Sequence, residues 1–317
     1  MAFALHTDHG ICQRRLNFST RKNGFNSRNF DKRVVIEYTS PYDNYAEIMA
    51  KKTLTTINYL IAGLTLVSCI ISISHNDIYL DGEWANAQWL GQDIITLIIA
   101  LPFLLVSSVK GIGNGNIKWE MINCGILLYY AYTYSFFMFA AELTPLYLFH
   151  FPIYGLSVIG FVICCIRIFN RDFQFKLPKK GLRTIIIFYL VLIALMISFL
   201  WLNDIMAHLN DPEHSSDTPD GKAPLIIYSL DLAIIIPLMI SSALLLYKQS
   251  NWGYTLSGII LTKTSTLGFA LMAMALSMFL QRLNPDYFLI VLWSTIGLIG
   301  ALLTILYLKN LQVEDNF

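Results

Sequence analysis

Two ionisable side chains lie deep within apolar stretches of this chain, Asp231 in 225–247 and Lys263 in 254–279. A lone charge in a low-dielectric interior is costly, so such residues are paired, functional, or both. If the stretches are helices, Asp231 sits about 9 Å from one end of its own and Lys263 about 14 Å from the opposite end of the next. Across a hydrocarbon core about 30 Å thick, those levels differ by only about 7 Å. The connection 248–253 is short, which makes the two helices antiparallel neighbours. The spacing therefore predicts a direct Asp231–Lys263 pair. It leaves open a clamp between helices, a substrate, ion or proton site, and a lysine that snorkels alone to the surface.

Polar neighbours extend this candidate. Thr262, Thr264, Ser265 and Thr266 flank Lys263. Two or three of the four hydroxyls are expected to bond back to carbonyls four residues earlier, which leaves Thr266 as a candidate contact. Tyr129, Tyr130, Tyr132 and Tyr134 begin near the middle of another apolar stretch, where their hydroxyls need partners. Helical spacing puts Tyr130 and Tyr134 on one face and Tyr132 elsewhere. The expected substrate or ion site thus comprises Asp231, Lys263, Tyr130, Tyr134 and Thr266.

Other reactive residues carry less. His75, His150, His208 and His214 fall near acids in connecting segments, but their spacing fits no metal motif. They read as solvated loop residues, with no metal expected. The five cysteines include no C-x-x-C pair and read as small hydrophobes. The run 111–115 reads as a tight turn, because no strand precedes it and no Lys-Ser/Thr follows. No H-E-x-x-H, G-x-S-x-G or paired catalytic carboxylates are present, so neither a catalytic residue nor a cofactor is expected.

The elements that must position these residues follow from composition. Charged residues make up 14% of the chain and apolar ones 56%, with a mean hydropathy of +0.56. That is far fewer charges than the roughly 25% usual in soluble domains. Eight stretches are long enough to cross a bilayer as helices: 53–74, 92–109, 119–140, 146–168, 184–203, 225–247, 254–279 and 287–308. Twelve Lys and Arg fall in the loops and ends on one side of this arrangement, against Lys222 and Arg282 on the other. The excess marks the cytoplasmic side. The expectation is an all-α polytopic bundle of about eight spans with both termini inside, in the cell membrane.

Residues 1–48 are basic and lack helical periodicity, which predicts a disordered tail before a transmembrane domain at 49–317. Met49, followed by Ala50, Lys51 and Lys52, is an alternative start. The bilayer is the expected partner, with a small solute, an ion or another protein beyond it, and no nucleic acid.

Several signatures occur together: Gly91-Gln92-Asp93 leading to Thr96 and Pro102, then Tyr130, Tyr132 and Tyr134. Tyr228-Ser229-Leu230-Asp231-Leu232 leads to Pro237, and Trp252-Gly253-Tyr254 leads to Lys263. Over roughly residues 53–309 the combination resembles an uncharacterised family of bacterial multi-pass membrane proteins with no assigned activity. The resemblance implies the architecture and no reaction. From the residues themselves, transport of a small solute or ion is the leading expectation. A sensor or accessory subunit working through acidic outer loops is the second, and a membrane-embedded lipid enzyme the third.

Overall fold

The computed structural model describes residues 41–75, 77–171, 173–177, 179–211, 213–216, 224–283 and 287–315. Among these, eight long helices follow the eight expected stretches. They are α1 (Pro41–Ser74), α2 (Glu83–Gly113), α3 (Ile117–Phe139), α4 (Tyr147–Phe169), α5 (Lys180–Asn210), α6 (Leu225–Tyr247), α7 (Asn251–Leu280) and α8 (Tyr287–Asn310). Most of the predicted tail lies outside the described residues, but from Pro41 the chain is already helical. Proline suits a first helical turn, and Glu47 holds this extension by meeting Arg171 of the chain after α4 at 3.6 Å.

Seven of the helices are long and apolar enough to cross a membrane. The exception is α3, whose tyrosines and polar residues lower its hydropathy. It does not face lipid: 18 of its 23 residues are buried, enclosed by α2, α4 and α7. Its partner at the centre is α7, which also packs against α2, α6 and α8. The central crossing is close because Gly125 brings no side chain. A Cβ there would lie 2.6 Å from the Ile259 carbonyl oxygen of α7. At the α7–α8 crossing Gly268 and Gly297 face each other, and a Cβ on Gly297 would lie 2.8 Å from the Gly268 carbonyl carbon. Small residues at such crossings let packing replace a hydrophobic drive that lipid does not supply.

Two helices are reshaped by proline. In α2 a π-helical segment spans Thr96–Ala100, and in α6 another spans Asp231–Ile235. Each ends two residues before a proline, Pro102 or Pro237. Proline lacks an N–H and its ring collides with the carbonyl four residues back, here that of Ile98 or Ala233, inside the widened turn. The wider turn accommodates the ring, and π segments of this kind recur at functional sites.

The expected all-α bundle is thus formed, and a small two-stranded ribbon is added to it at one end. β1 (Phe173–Lys176) pairs antiparallel with β2 (Gln312–Asp315), with Phe173 opposite Asp315. The strands are too short to register as alternating patterns. Their pairing places the chain after α8 at the same end of the bundle as the basic connection between α4 and α5. The start of α1 is there too, since Lys51 Nζ donates to the Gly113 carbonyl at 2.8 Å. Both ends of the described chain thus share the basic side. Just inside this end, Glu120 is fully buried and pairs with Arg167 at 2.9 Å and Arg171 at 2.8 Å.

Candidate functional site

Asp231 opens the π-helical turn of α6 and is almost wholly buried. Its carboxylate receives two hydrogen bonds: the Tyr132 hydroxyl donates to Oδ1 at 2.8 Å, and the Trp201 indole donates to Oδ2 at 2.9 Å. Lys263, also buried, lies on α7 with its Nζ 3.7 Å from the centroid of the Tyr132 ring. The expected direct Asp231–Lys263 ion pair is therefore not formed. Tyr132 stands between the two charges, taking the ammonium on its π face and donating a hydrogen bond from its hydroxyl to the carboxylate. Four helices contribute to this centre: α3, α5, α6 and α7.

The other candidates divide. Tyr130 and Tyr134 do share a face, stacked with ring centroids 5.7 Å apart. That face looks away from Asp231, toward α4, where Tyr134 meets the His150 ring at 5.6 Å. Both hydroxyls are buried without a hydrogen-bond partner among the described residues. Thr266 donates to the Thr262 carbonyl at 2.9 Å and stays outside the centre. Thr262, Thr264 and Ser265 bond back in the same way, so all four hydroxyls are used and not two or three. His150 is not a solvated loop residue either. It is buried against Phe137 at 4.4 Å, with Nε2 3.2 Å from the Ser68 hydroxyl.

A second centre was not expected. Asp93 of α2 is fully buried, and three neutral donors from α1 and the segment after it surround its carboxylate. Ser72 and Tyr79 hydroxyls each donate at 2.6 Å, and the Cys69 thiol approaches at 3.8 Å. No cation pairs with Asp93 among the described residues. Ser72 and Tyr79 also line a cleft of about 410 Å³, which continues along Asn86, Ala273, Ser277 and Gln281. The cleft opens at the end of the bundle opposite the basic loops, with Asp93 behind its wall. Next to Asp93, Gln92 is fully buried with both amide atoms unpartnered among the described residues. Thr96, one turn on, bonds to the Tyr129 hydroxyl at 2.9 Å.

A signal for this second centre was present in the sequence. Asp93 precedes Pro102 much as Asp231 precedes Pro237, and in both helices the acid comes at or before the turn that the proline widens. Chemically, both centres offer a carboxylate at membrane depth held by hydroxyl, thiol or indole donors. Such a group can exchange a proton, or trade its donors for a polar ligand.

The fold and these interior polar centres define a multi-pass α-helical membrane protein. No protein-family model matches the chain, and no curated protein or solved structure matches it either.

Proposed function

We propose that the protein moves a small polar solute or an inorganic ion across the cell membrane, with Asp93 and the Lys263–Tyr132–Asp231 relay as its interior polar steps. The observation that carries this reading is Asp93, a fully buried carboxylate without a cationic partner among the described residues, set behind the wall of an outer cleft. A membrane protein that needs only to be stable has no use for such a group, because hydrocarbon makes it expensive. The π-helical turns before Pro102 and Pro237 add support, since broken helices supply polar sites near the midplane in transporters. So do the unspent polar groups of Gln92, Tyr130 and Tyr134 between the helices.

Reconstitution in sealed liposomes tests the reading. A pH-sensitive dye inside reports protons, and radiolabelled sodium, amines and amino acids report solutes under an imposed gradient. The expected result is flux above protein-free vesicles for at least one probe, lost in Asp93→Asn or Asp231→Asn proteins that remain monodisperse. Flux indistinguishable from protein-free vesicles for every probe would overturn it.

A further inference from the structure

At the outer end of α5 and α6, three potential metal ligands come together without an ion-pair partner from any lysine or arginine among the described residues. They are Asp204 and His208, one turn apart on α5, and His214 in the segment that follows. Their ligand atoms all lie within 4.8 Å of one another, and each residue is only partly buried. His214 Nε2 lies 3.0 Å from Asp204 Oδ1, and the two imidazole rings are 4.6 Å apart, edge to face. Sequence spacing alone did not show this group, because Asp204 sits just past the expected end of its span and the histidines read as solvated.

We propose that Asp204, His208 and His214 bind a zinc ion. The donor set is two imidazoles and one carboxylate, which suits a borderline-soft divalent ion and leaves one position of a tetrahedron for water. With bonds of about 2.0–2.2 Å, adjacent ligand atoms of a tetrahedral zinc site are about 3.3 Å apart, close to the His214–Asp204 separation. The surrounding bonds orient the ligands as an outer shell does in metal proteins. His208 Nδ1 faces the Asp204 carbonyl at 3.0 Å. A carbonyl can only accept, so Nδ1 carries the proton and Nε2 keeps its lone pair. The Ser216 hydroxyl donates to Asp204 Oδ2 at 2.7 Å, and the Tyr228 hydroxyl donates to the same oxygen. That occupies Oδ2 and leaves Oδ1 for the ion. Zinc at this position replaces the proton shared between Oδ1 and His214 Nε2, and the ring then carries its proton on Nδ1.

The position also matters. Asp204 and Tyr228 form one rung between α5 and α6, and Trp201 with Asp231 forms the next, three residues deeper on each helix. The Trp201 and Tyr228 rings join the rungs at 5.3 Å. Zinc at the outer rung therefore ties the 213–216 segment and both helices together directly above Asp231.

The test uses the full chain purified in detergent, stripped with a chelator and titrated with zinc against a fluorescent competitor. One zinc per chain is expected, with affinity weaker in His208→Ala and in His214→Ala by more than the roughly 10–100-fold that loss of an outer-shell partner brings. His75→Ala, at an exposed outer histidine, is expected to bind as the unmodified protein does. X-ray absorption of the unmodified, zinc-loaded protein needs no variant to fold, and is expected to show two imidazoles with oxygen completing the shell. No zinc above the stripped baseline, undiminished binding in both histidine variants, or sulfur ligation would each overturn the proposal. Binding in detergent requires no gradient, so this outcome is independent of whether the protein transports anything.

Discussion

Replacing Tyr132 with phenylalanine removes one oxygen from the centre of the bundle and keeps the ring. The hydroxyl lost is the donor to Asp231 Oδ1 at 2.8 Å, and a hydrogen bond to a charged partner contributes about 1.5–3 kcal/mol. The ring retained still offers its face to Lys263 Nζ at 3.7 Å, a contact that contributes about 2 kcal/mol when desolvated. Tyr132→Phe should therefore destabilise by about 1.5–3 kcal/mol, and Tyr132→Leu by about 2 kcal/mol more. Reversible unfolding in mixed detergent micelles measures both. Double-mutant cycles separate the two bonds. Tyr132→Phe with Asp231→Ala should be strongly non-additive, because each deletes the same hydrogen bond. Tyr132→Phe with Lys263→Met should add to within about 0.5 kcal/mol, because they remove different ones. If Tyr132→Phe is neutral, or if it couples to Lys263 and not to Asp231, the relay is wrong and a direct Asp231–Lys263 contact is restored as the better description.

Three further outcomes follow from the structure. In a background without native cysteines, Glu213→Cys should react with an impermeant thiol reagent in sealed cells and Lys179→Cys should not; both positions are exposed, so the reverse pattern would invert the orientation. Glu120→Gln should cost about 3–5 kcal/mol in the same unfolding assay, because it strands the buried Arg167 guanidinium, and a loss below about 1 kcal/mol would mean that the pair behaves as a solvated one. Gly268→Leu should overpack the α7–α8 crossing and destabilise by about 1–3 kcal/mol or more, whereas retained stability would show that the two backbones separate freely.

Hydropathy made the eight helices legible, because apolar length is set by the bilayer and not by details of packing. Their ends were less so. The expected span 92–109 is helical from Glu83 to Gly113, and 184–203 from Lys180 to Asn210, since helices run on past the hydrocarbon where polar residues suit them. That extension explains both missed centres. Asp93 is only the second residue of its expected span, yet it lies ten residues into α2, and Asp204 falls one residue past its expected span but within α5. Asp231 and Lys263 were conspicuous because charge within an apolar run is rare. Tyr132 was missed for a different reason. Spacing sorts side chains into faces, but only the packing of α3 between its neighbours determines which face meets α6 and α7. The π-helical turns left no periodic trace of their own; Pro102 and Pro237 marked where two of them fall, whereas a third, Ser108–Gly113 at the end of α2, has no proline after it.

The β1–β2 ribbon also orders events during synthesis. Lys176 and Glu314, paired at 2.9 Å, are 138 residues apart in the chain. At a synthesis rate of about 5–20 residues per second, β1 waits about 7–28 s after emerging before β2 exists. Throughout that interval it is an unpaired edge next to the membrane, the kind of segment that recruits foreign strands. Its length of four residues and the charge of Lys176 limit that hazard. Closure of the ribbon must then come after α8 has been made, so it is a late step of assembly, one that joins the connection between α4 and α5 to the completed bundle.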